Sequence, residues 1–484
     1  MFEGQPKGLF ALALANTGER FGYYTMLAVF ALFLRANFGL APGTAGFIYS
    51  SFLMLVYFLP LFGGMMADKF GFGKMVTSGI IIMFAGYLLL SVPLGGDIVA
   101  LVVMMAALVM IALGTGLFKG NLQVMVGDLY NSSQYSDKRD SGFSIFYMAI
   151  NIGALFAPTA AVKIMEWAQA NMGVSENDSY HFAFAVACAS LILSIAIYYL
   201  TRPTFRHVEG GKKDKDSKKS ADDTIEELSP ADTRARVVAL CLVYAVVIFF
   251  WMAFHQNGLT LTYFANEFTV KSVEGVQSMA FDVLNLVAII IIVYALFSLF
   301  QSKSSNGKII SGGVLAACVA FLYWQYTNVS GSIDISAPIF QQFNPCYVVA
   351  LTPVSLAIFS ALARRGKEPS APRKIAYAQA AAGDNGTFVS TNWLISTYLV
   401  LTFAELLLSP MGISFVSKVA PPKYKGMMMG GWFVATAIGN FLVSVGGFLW
   451  GSLPLWMVWT VFIVLCLLSA LFMFAMMKRL EKVA

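Results

Sequence analysis

Long apolar runs separated by short polar intervals repeat along the whole chain. They fall at about 8–35, 44–67, 75–95, 98–118, 143–166 and 182–201, then at about 237–264, 277–300, 309–326, 339–363, 391–415, 427–450 and 455–477. Most are near the roughly 20 residues a helix needs to cross a bilayer. They are unbroken rather than alternating over about ten residues, so they predict helices and not barrel strands. Between the sixth and seventh runs the pattern changes. Residues 202–236 are poor in apolar side chains and contain Lys212-Lys213-Asp214-Lys215-Asp216-Ser217-Lys218-Lys219, which reads as a flexible linker. The layout predicts a six-helix bundle over 1–202, a cytoplasmic linker over 203–236 and a second bundle over 237–484.

Composition agrees. Of 484 residues, 58% are hydrophobic and 12% charged, and the mean hydropathy is +0.72. A soluble chain of this length could not hide so much apolar surface, so the expectation is an all-α integral membrane protein in a lipid bilayer. The first run is too long for a cleavable signal. The net charge of +6 follows from basic loops on one side and needs no nucleic acid. Lys69 and Lys74, Lys138 and Arg139, the linker, Lys303 and Lys308, Arg364 to Lys374, Lys418 to Lys425 and Lys478 to Lys482 mark that side, while the alternate loops hold few cations, such as Arg35, Lys163 and Lys271. The positive-inside rule then places both termini in the cytoplasm of a multi-pass cell (inner) membrane protein. That count requires a further crossing at 375–389, a short polar stretch, for a total of about 14 spans, one degenerate. The five cysteines, Cys188, Cys241, Cys318, Cys346 and Cys466, lie in apolar runs with no metal spacing and no disulfide framework, and no cofactor is expected.

The chemistry concentrates where polar groups interrupt these runs. Asn16-Thr17-Gly18-Glu19-Arg20-Phe21-Gly22-Tyr23-Tyr24 puts an acid and an arginine in the middle of the first run. Each charge at bilayer centre costs about 2.5–3.5 kcal/mol on insertion scales, so both should face a protein interior or a wet cavity. An ion pair that only locks helices together is the alternative. Gly63-Gly64-Met65-Met66-Ala67-Asp68-Lys69-Phe70-Gly71-Phe72-Gly73-Lys74 resembles the loop signature of the major facilitator superfamily, in which Asp68 would cap a helix or pair with a cation as a gating element. Gly114-Thr115-Gly116-Leu117-Phe118-Lys119-Gly120-Asn121 ends the fourth run, with Lys119 either lining a cavity or snorkelling to headgroups. Phe143-Ser144-Ile145-Phe146-Tyr147-Met148-Ala149-Ile150-Asn151 opens the fifth, and Asn151 must find a partner in lipid.

Together with Gln256-Asn257-Gly258, Asn344-Pro345, Glu405-Leu406-Leu407-Leu408-Ser409-Pro410-Met411-Gly412, Gly430-Gly431-Trp432 and Gly439-Asn440, these stretches resemble the proton-dependent oligopeptide transporter (POT/PTR) family of the major facilitator superfamily, bacterial type. The match runs in order over nearly the whole chain. It makes 277–326 an inserted helix pair and 375–389 the ninth family helix. The resemblance implies a secondary active transporter that imports di- and tripeptides by proton symport, with alternating access around a central cavity and a monomer as the working unit. Arg20 and Lys119 would face the peptide carboxylate and Glu405 its amino end. Asn151 and Asn344 would hold backbone amides, Gln256 would belong to the substrate-binding set, Tyr23, Tyr24 and Tyr57 would line the cavity, and Trp432 is a further candidate. Glu405 and Lys119 are expected to pair across the bundles when no peptide is bound, so that peptide or proton binding breaks the pair and lets the bundles rock.

The sequence departs from the family at Asn16, where an acid is usual, at Leu27, where an arginine is usual, and at His255, where an acid is usual. Leu27 and His255 replace both ends of one ion pair. Proton coupling is therefore lost or rewired, through Glu19, Lys119, His255, Glu405 and Asp68. His255 is a proton switch or a neutral hydrogen-bonded ring. Alternatives are a peptide facilitator without coupling and a same-fold carrier of another small zwitterion or an anion. Cations on one bundle and an acid on the other favour a zwitterion. An enzyme is not expected, since no His-Glu-x-x-His, Gly-x-Ser-x-Gly or paired-acid metal motif occurs.

Overall fold

A computed structural model describes residues 4–132, 134–210, 229–302, 304–329, 331–364, 390–421 and 425–482. The chain is helical almost throughout. Helices α1 (Lys7–Phe38), α2 (Pro42–Phe58), α3 (Pro60–Phe70), α4 (Phe72–Ser91), α5 (Ile98–Asp128), α6 (Arg139–Met172) and α7 (Glu176–Thr201) form the first set. The second holds α8 (Pro230–Phe254), α9 (Thr260–Phe268), α10 (Val283–Gln301), α11 (Ser305–Thr327), α12 (Phe343–Arg364), α13 (Thr391–Val419), α14 (Lys425–Leu442), α15 (Ser444–Leu449) and α16 (Leu455–Glu481). Among the described residues, 12 helical stretches are long and apolar enough to cross a membrane. Their apolar side chains face neighbouring helices on one side, while Leu200, Phe300 and Ile309 are exposed as lipid-facing residues are.

Three expected spans are broken. The run 44–67 divides at Leu59, because Pro60 has no N–H to give and starts α3. The run 237–264 divides into α8 and α9 at a 3₁₀ turn, His255–Gly258. A Cβ at Gly258 would stand 2.0 Å from the Tyr49 hydroxyl, so only glycine lets α2 approach the break. The run 427–450 divides at Val443 into α14 and α15. The linker is shorter than expected: α8 begins at Pro230, capped by Ser229, whose hydroxyl accepts from the Asp232 N–H at 3.1 Å. Before it, two 3₁₀ turns follow α7, and Glu209 is held by Arg202 and by the Tyr198 hydroxyl at 3.1 Å. The crossing expected at 375–389 lies outside the described residues.

Small residues set the close packing. α1 lies against α6 and α7, where Thr17 donates to the Ala149 carbonyl at 3.0 Å and Ser194 to the Ala15 carbonyl at 2.6 Å. Gly114 and Gly116 explain the Gly-Thr-Gly element. A Cβ on the first would meet the Gly79 carbonyl at 2.5 Å and on the second Leu59 at 2.7 Å, so α5 is gripped on two sides.

The inserted pair is the hairpin α10–α11, which starts at Val283, not 277, because Asp282 caps it by accepting from the Leu284 N–H. Residues Gly275–Phe281 form a 3₁₀ turn instead. Two strands not expected from the sequence, β1 (Ser272–Glu274) and β2 (Ser332–Asp334), pair antiparallel with Ser272 opposite Asp334 and draw the two ends of the insertion together. The hairpin rests on α12 and α6, and Tyr294 donates to the Val349 carbonyl at 3.2 Å.

Candidate functional site

Glu19 and Arg20 are both buried in the middle of α1. Arg20 donates from Nε to Glu19 Oε2 at 2.5 Å and from Nη2 to Oε1 at 2.7 Å. A guanidinium has five N–H groups, and its remaining ones find no acceptor among the described residues. Its carbon lies 4.9 Å from the ring centroid of Tyr23, which meets Tyr24 edge-on at 5.2 Å. Asn16, one turn earlier, is buried with its Nδ2 unpartnered among the described residues.

Lys119 arrives from α5 and sets its Nζ 3.9 Å above the ring of Tyr57 on α2, a cation–π geometry. Tyr57 also neighbours His255, with ring centroids 6.2 Å apart. His255 in turn stacks on Trp251 at 5.3 Å and meets Phe254 edge-on. Its Nε2 is buried and has no partner among the described residues.

Glu405, on α13, closes the arrangement from the other set of helices. Its Oε2 accepts from Asn344 Nδ2 at 2.9 Å and its Oε1 from the Tyr147 hydroxyl of α6 at 3.2 Å. The expected Glu405–Lys119 pair is not made. Lys119 sits on the Tyr57 ring and Glu405 takes neutral donors, with no ion pair between them. Among the described residues Glu405 is thus an acid matched by hydrogen bonds but by no cation.

The remaining expected residues divide. Tyr23, Tyr24 and Tyr57 gather around Arg20 and Lys119, and Asn344 reaches Glu405. Gln256 does not reach this site. It is 2% exposed; its amide donates to Val443 and Met252 carbonyls and its oxygen accepts from Thr260, so it splices the α8–α9 break to α15. Asn151 gives its amide to the Tyr147 carbonyl one turn back, at 3.0 Å. Trp432 is packed in an apolar cluster with Phe250, Leu408 and Phe415. The side chain of Asp68 lies outside the described residues.

Sequence reasoning left several residues without a role. Tyr147 stands in a recognised stretch yet is the one that crosses to Glu405. Arg35 and Glu267 form an ion pair between the last turn of α1 and the end of α9. Arg35 lies 4.7 Å over the Tyr263 ring, and Trp450 donates to Glu267 at 3.1 Å. The signal was available, since each is a charge at the end of an apolar run. At the same end Gln341 donates to the Ala28 carbonyl at 3.1 Å, Thr159 donates to Gln342 at 2.9 Å, and a Cβ at Gly46 would be 3.1 Å from the Gly447 Cα. This end is therefore closed beneath a cavity of about 880 Å³ lined by Arg35, Glu166, Glu176, Glu267 and Lys271.

Comparison with known proteins gives a consistent result. A family model described as the POT family matches residues 73–221 and 376–447, which include Lys119, Tyr147 and Glu405 but not Glu19 or Arg20; the second match begins outside the described residues. The chain is 28% identical to a di-/tripeptide transporter of Lactococcus lactis subsp. lactis, over 90% of this chain and 87% of that one. It is 26% identical to dipeptide and tripeptide permease A of Escherichia coli, over 93% and 85%. Among solved structures, a mutant peptide transporter POT in complex with alafosfalin aligns over 100% of this chain and 96% of that one, at 25% identity and a TM-score of 0.72. A POT family transporter in complex with 5-aminolevulinic acid shares the fold at 20% identity, with a TM-score of 0.74 over 100% and 98%. The chain is similar in sequence and fold to POT family transporters; it is a multi-pass membrane protein with the major facilitator superfamily fold and an added helix pair, a transporter rather than an enzyme.

Proposed function

We propose that this protein imports di- and tripeptides through a central site between residues 1–202 and 237–484, by alternating access coupled to protons. The observation that carries the reading is the placement of charge. Arg20 and Lys119 come from one set of helices, and Glu405, with no cation partner among the described residues, comes from the other. A zwitterionic peptide matches this placement: its carboxylate goes to Lys119 and, in place of Glu19, to Arg20, and its ammonium goes to Glu405. Tyr147 and Asn344, already on the two oxygens of Glu405, are placed to pass to peptide amides when the ammonium arrives.

The coupling follows from Glu19. A peptide carboxylate that takes the Arg20 fork releases the Glu19 carboxylate inside the protein. An uncompensated buried carboxylate is expensive, and a proton from the outer side neutralises it. His255, held among Trp251, Phe254 and Tyr57, stands next to Lys119's ring partner and is the second titratable group of the path. With both termini in the cytoplasm of the cell (inner) membrane, the closed end that contains Arg35 and Glu267 is the outer one, and the conformation faces inward. A monomer carries the whole site.

A second reading keeps the peptide and drops the coupling. The neutral, unpartnered Asn16 and the aromatic-packed His255 favour it. Ligand-induced stabilisation in detergent tests the cargo, because a ligand that binds only the folded state raises the melting temperature. Dialanine is expected to stabilise the protein more than N-acetyl-dialanine or dialanine amide, and Glu405→Gln is expected to erase the preference for a free amine. Equal stabilisation by a simple anion such as nitrate would overturn the peptide assignment.

A further inference from the structure

Three polar residues share one face of α13: Tyr398, Thr402 and Glu405, spaced by four and three residues. Only the last is a charge, and only the last drew notice. Thr402 is fully buried and Tyr398 nearly so. A buried hydroxyl in a membrane helix must account for its donor and its acceptors. Thr402 donates to the Tyr398 carbonyl at 2.7 Å. It accepts from Asn344 Nδ2 at 3.0 Å. The same Nδ2 donates to Glu405 at 2.9 Å.

A carboxamide nitrogen has two hydrogens and no more. One goes to Thr402 and the other to Glu405, so the first bond fixes the plane of the Asn344 amide and thereby aims the second. The Tyr398 side chain anchors the face from the other end. Its hydroxyl donates at 3.0 Å to the Asn257 carbonyl, inside the turn that separates α8 from α9. That carbonyl is available because the break at His255–Gly258 takes it out of a helical ladder.

From this geometry we infer that Thr402 is a positioning residue for the amine end of the peptide: it holds Asn344 so that Glu405 is oriented for an ammonium group, and Tyr398 ties that face to the α8–α9 turn. The inference rests on the proposed peptide site and adds to it a residue that touches no substrate. Valine in place of Thr402 keeps the branched shape and removes the acceptor. The Asn344 amide then rotates freely, and Glu405 loses its fixed donor.

The experiment is concentration-dependent uptake of dialanine and N-acetyl-dialanine into proteoliposomes, for the wild type, Thr402→Val, Thr402→Ser and Asn344→Ala. Thr402→Val is expected to raise the KM for dialanine about three- to tenfold, as the loss of one hydrogen bond predicts, with the maximal rate little changed. Its discrimination against the N-acetylated peptide falls by the same factor. Thr402→Ser restores both, and adding Thr402→Val to Asn344→Ala changes nothing further. If Thr402→Val is not recovered as folded protein, Thr402→Ala carries the same test. Wild-type KM and discrimination in the valine variant would overturn the inference while leaving the peptide site standing. Equal impairment by valine and serine would overturn it as well, since the role would then be one of volume. A folded wild type that takes up no dialanine would overturn both.

Discussion

Glu19 holds the Nε and Nη2 donors of Arg20, and in the proposed cycle the peptide carboxylate takes that same fork, so the two acids compete for it. This gives Glu19→Gln opposite effects on two measurements. The variant is expected to bind dialanine more tightly than the wild type, because nothing must be displaced, and to lose accumulation against a gradient, because no acid is left to take the proton. Without peptide it is also expected to be less stable by about 3–5 kcal/mol, since a buried arginine has lost its partner. Titration calorimetry, uptake and thermal unfolding read the three effects; weaker binding would contradict the competition. Arg20, Lys119 and Glu405 were legible in the sequence because a charge inside an apolar run is too expensive to be incidental. Their partners were not. Lys119 and Glu405 looked like a pair from charge alone, whereas an aromatic face and two neutral donors hold them apart. Gln256 looked like a site residue until the turn beside it was seen to consume its amide.

At the scale of elements, apolar runs located the spans and missed the breaks within them. Pro60 breaks one run by local chemistry that a sequence carries openly. The turn at His255–Gly258 contains no proline, and the close approach of Tyr49 from α2 to Gly258 is something no local pattern records. The three-residue strands β1 and β2 are too short to show any period. Glycines at the closed end make a test. A side chain at Gly447 would begin 2.7 Å from the Pro42 carbonyl and 3.1 Å from the Gly46 Cα, with backbone on both sides. Gly447→Leu is therefore expected to keep this end from closing. Dialanine still stabilises the variant, but uptake falls to the level of empty liposomes. Wild-type uptake in that variant would show that the approach of α2 and α15 is no part of the cycle.

For the molecule as a whole, the order of apolar runs was enough to predict a helical membrane protein, and the added pair α10–α11 stood out by its excess. Its ends meet at β1 and β2, where Ile335 donates to the Lys271 carbonyl at 2.7 Å. Residues 275–331 can therefore be replaced by Asn-Gly, the turn that suits a two-residue hairpin. The shortened protein is expected to transport dialanine with an unchanged KM and to melt at a lower temperature, because α6 and α12 lose the cover that α10 gives them. A changed KM would assign the pair to the site. Coupled peptide import through this site is read by uptake of labelled dialanine into proteoliposomes with an inward proton gradient. The account predicts accumulation above equilibrium that collapses with the gradient and is absent in Glu405→Gln. Gradient-independent equilibration would retain the peptide and remove the coupling. No dialanine uptake by folded wild-type protein, with or without the gradient, would contradict the account.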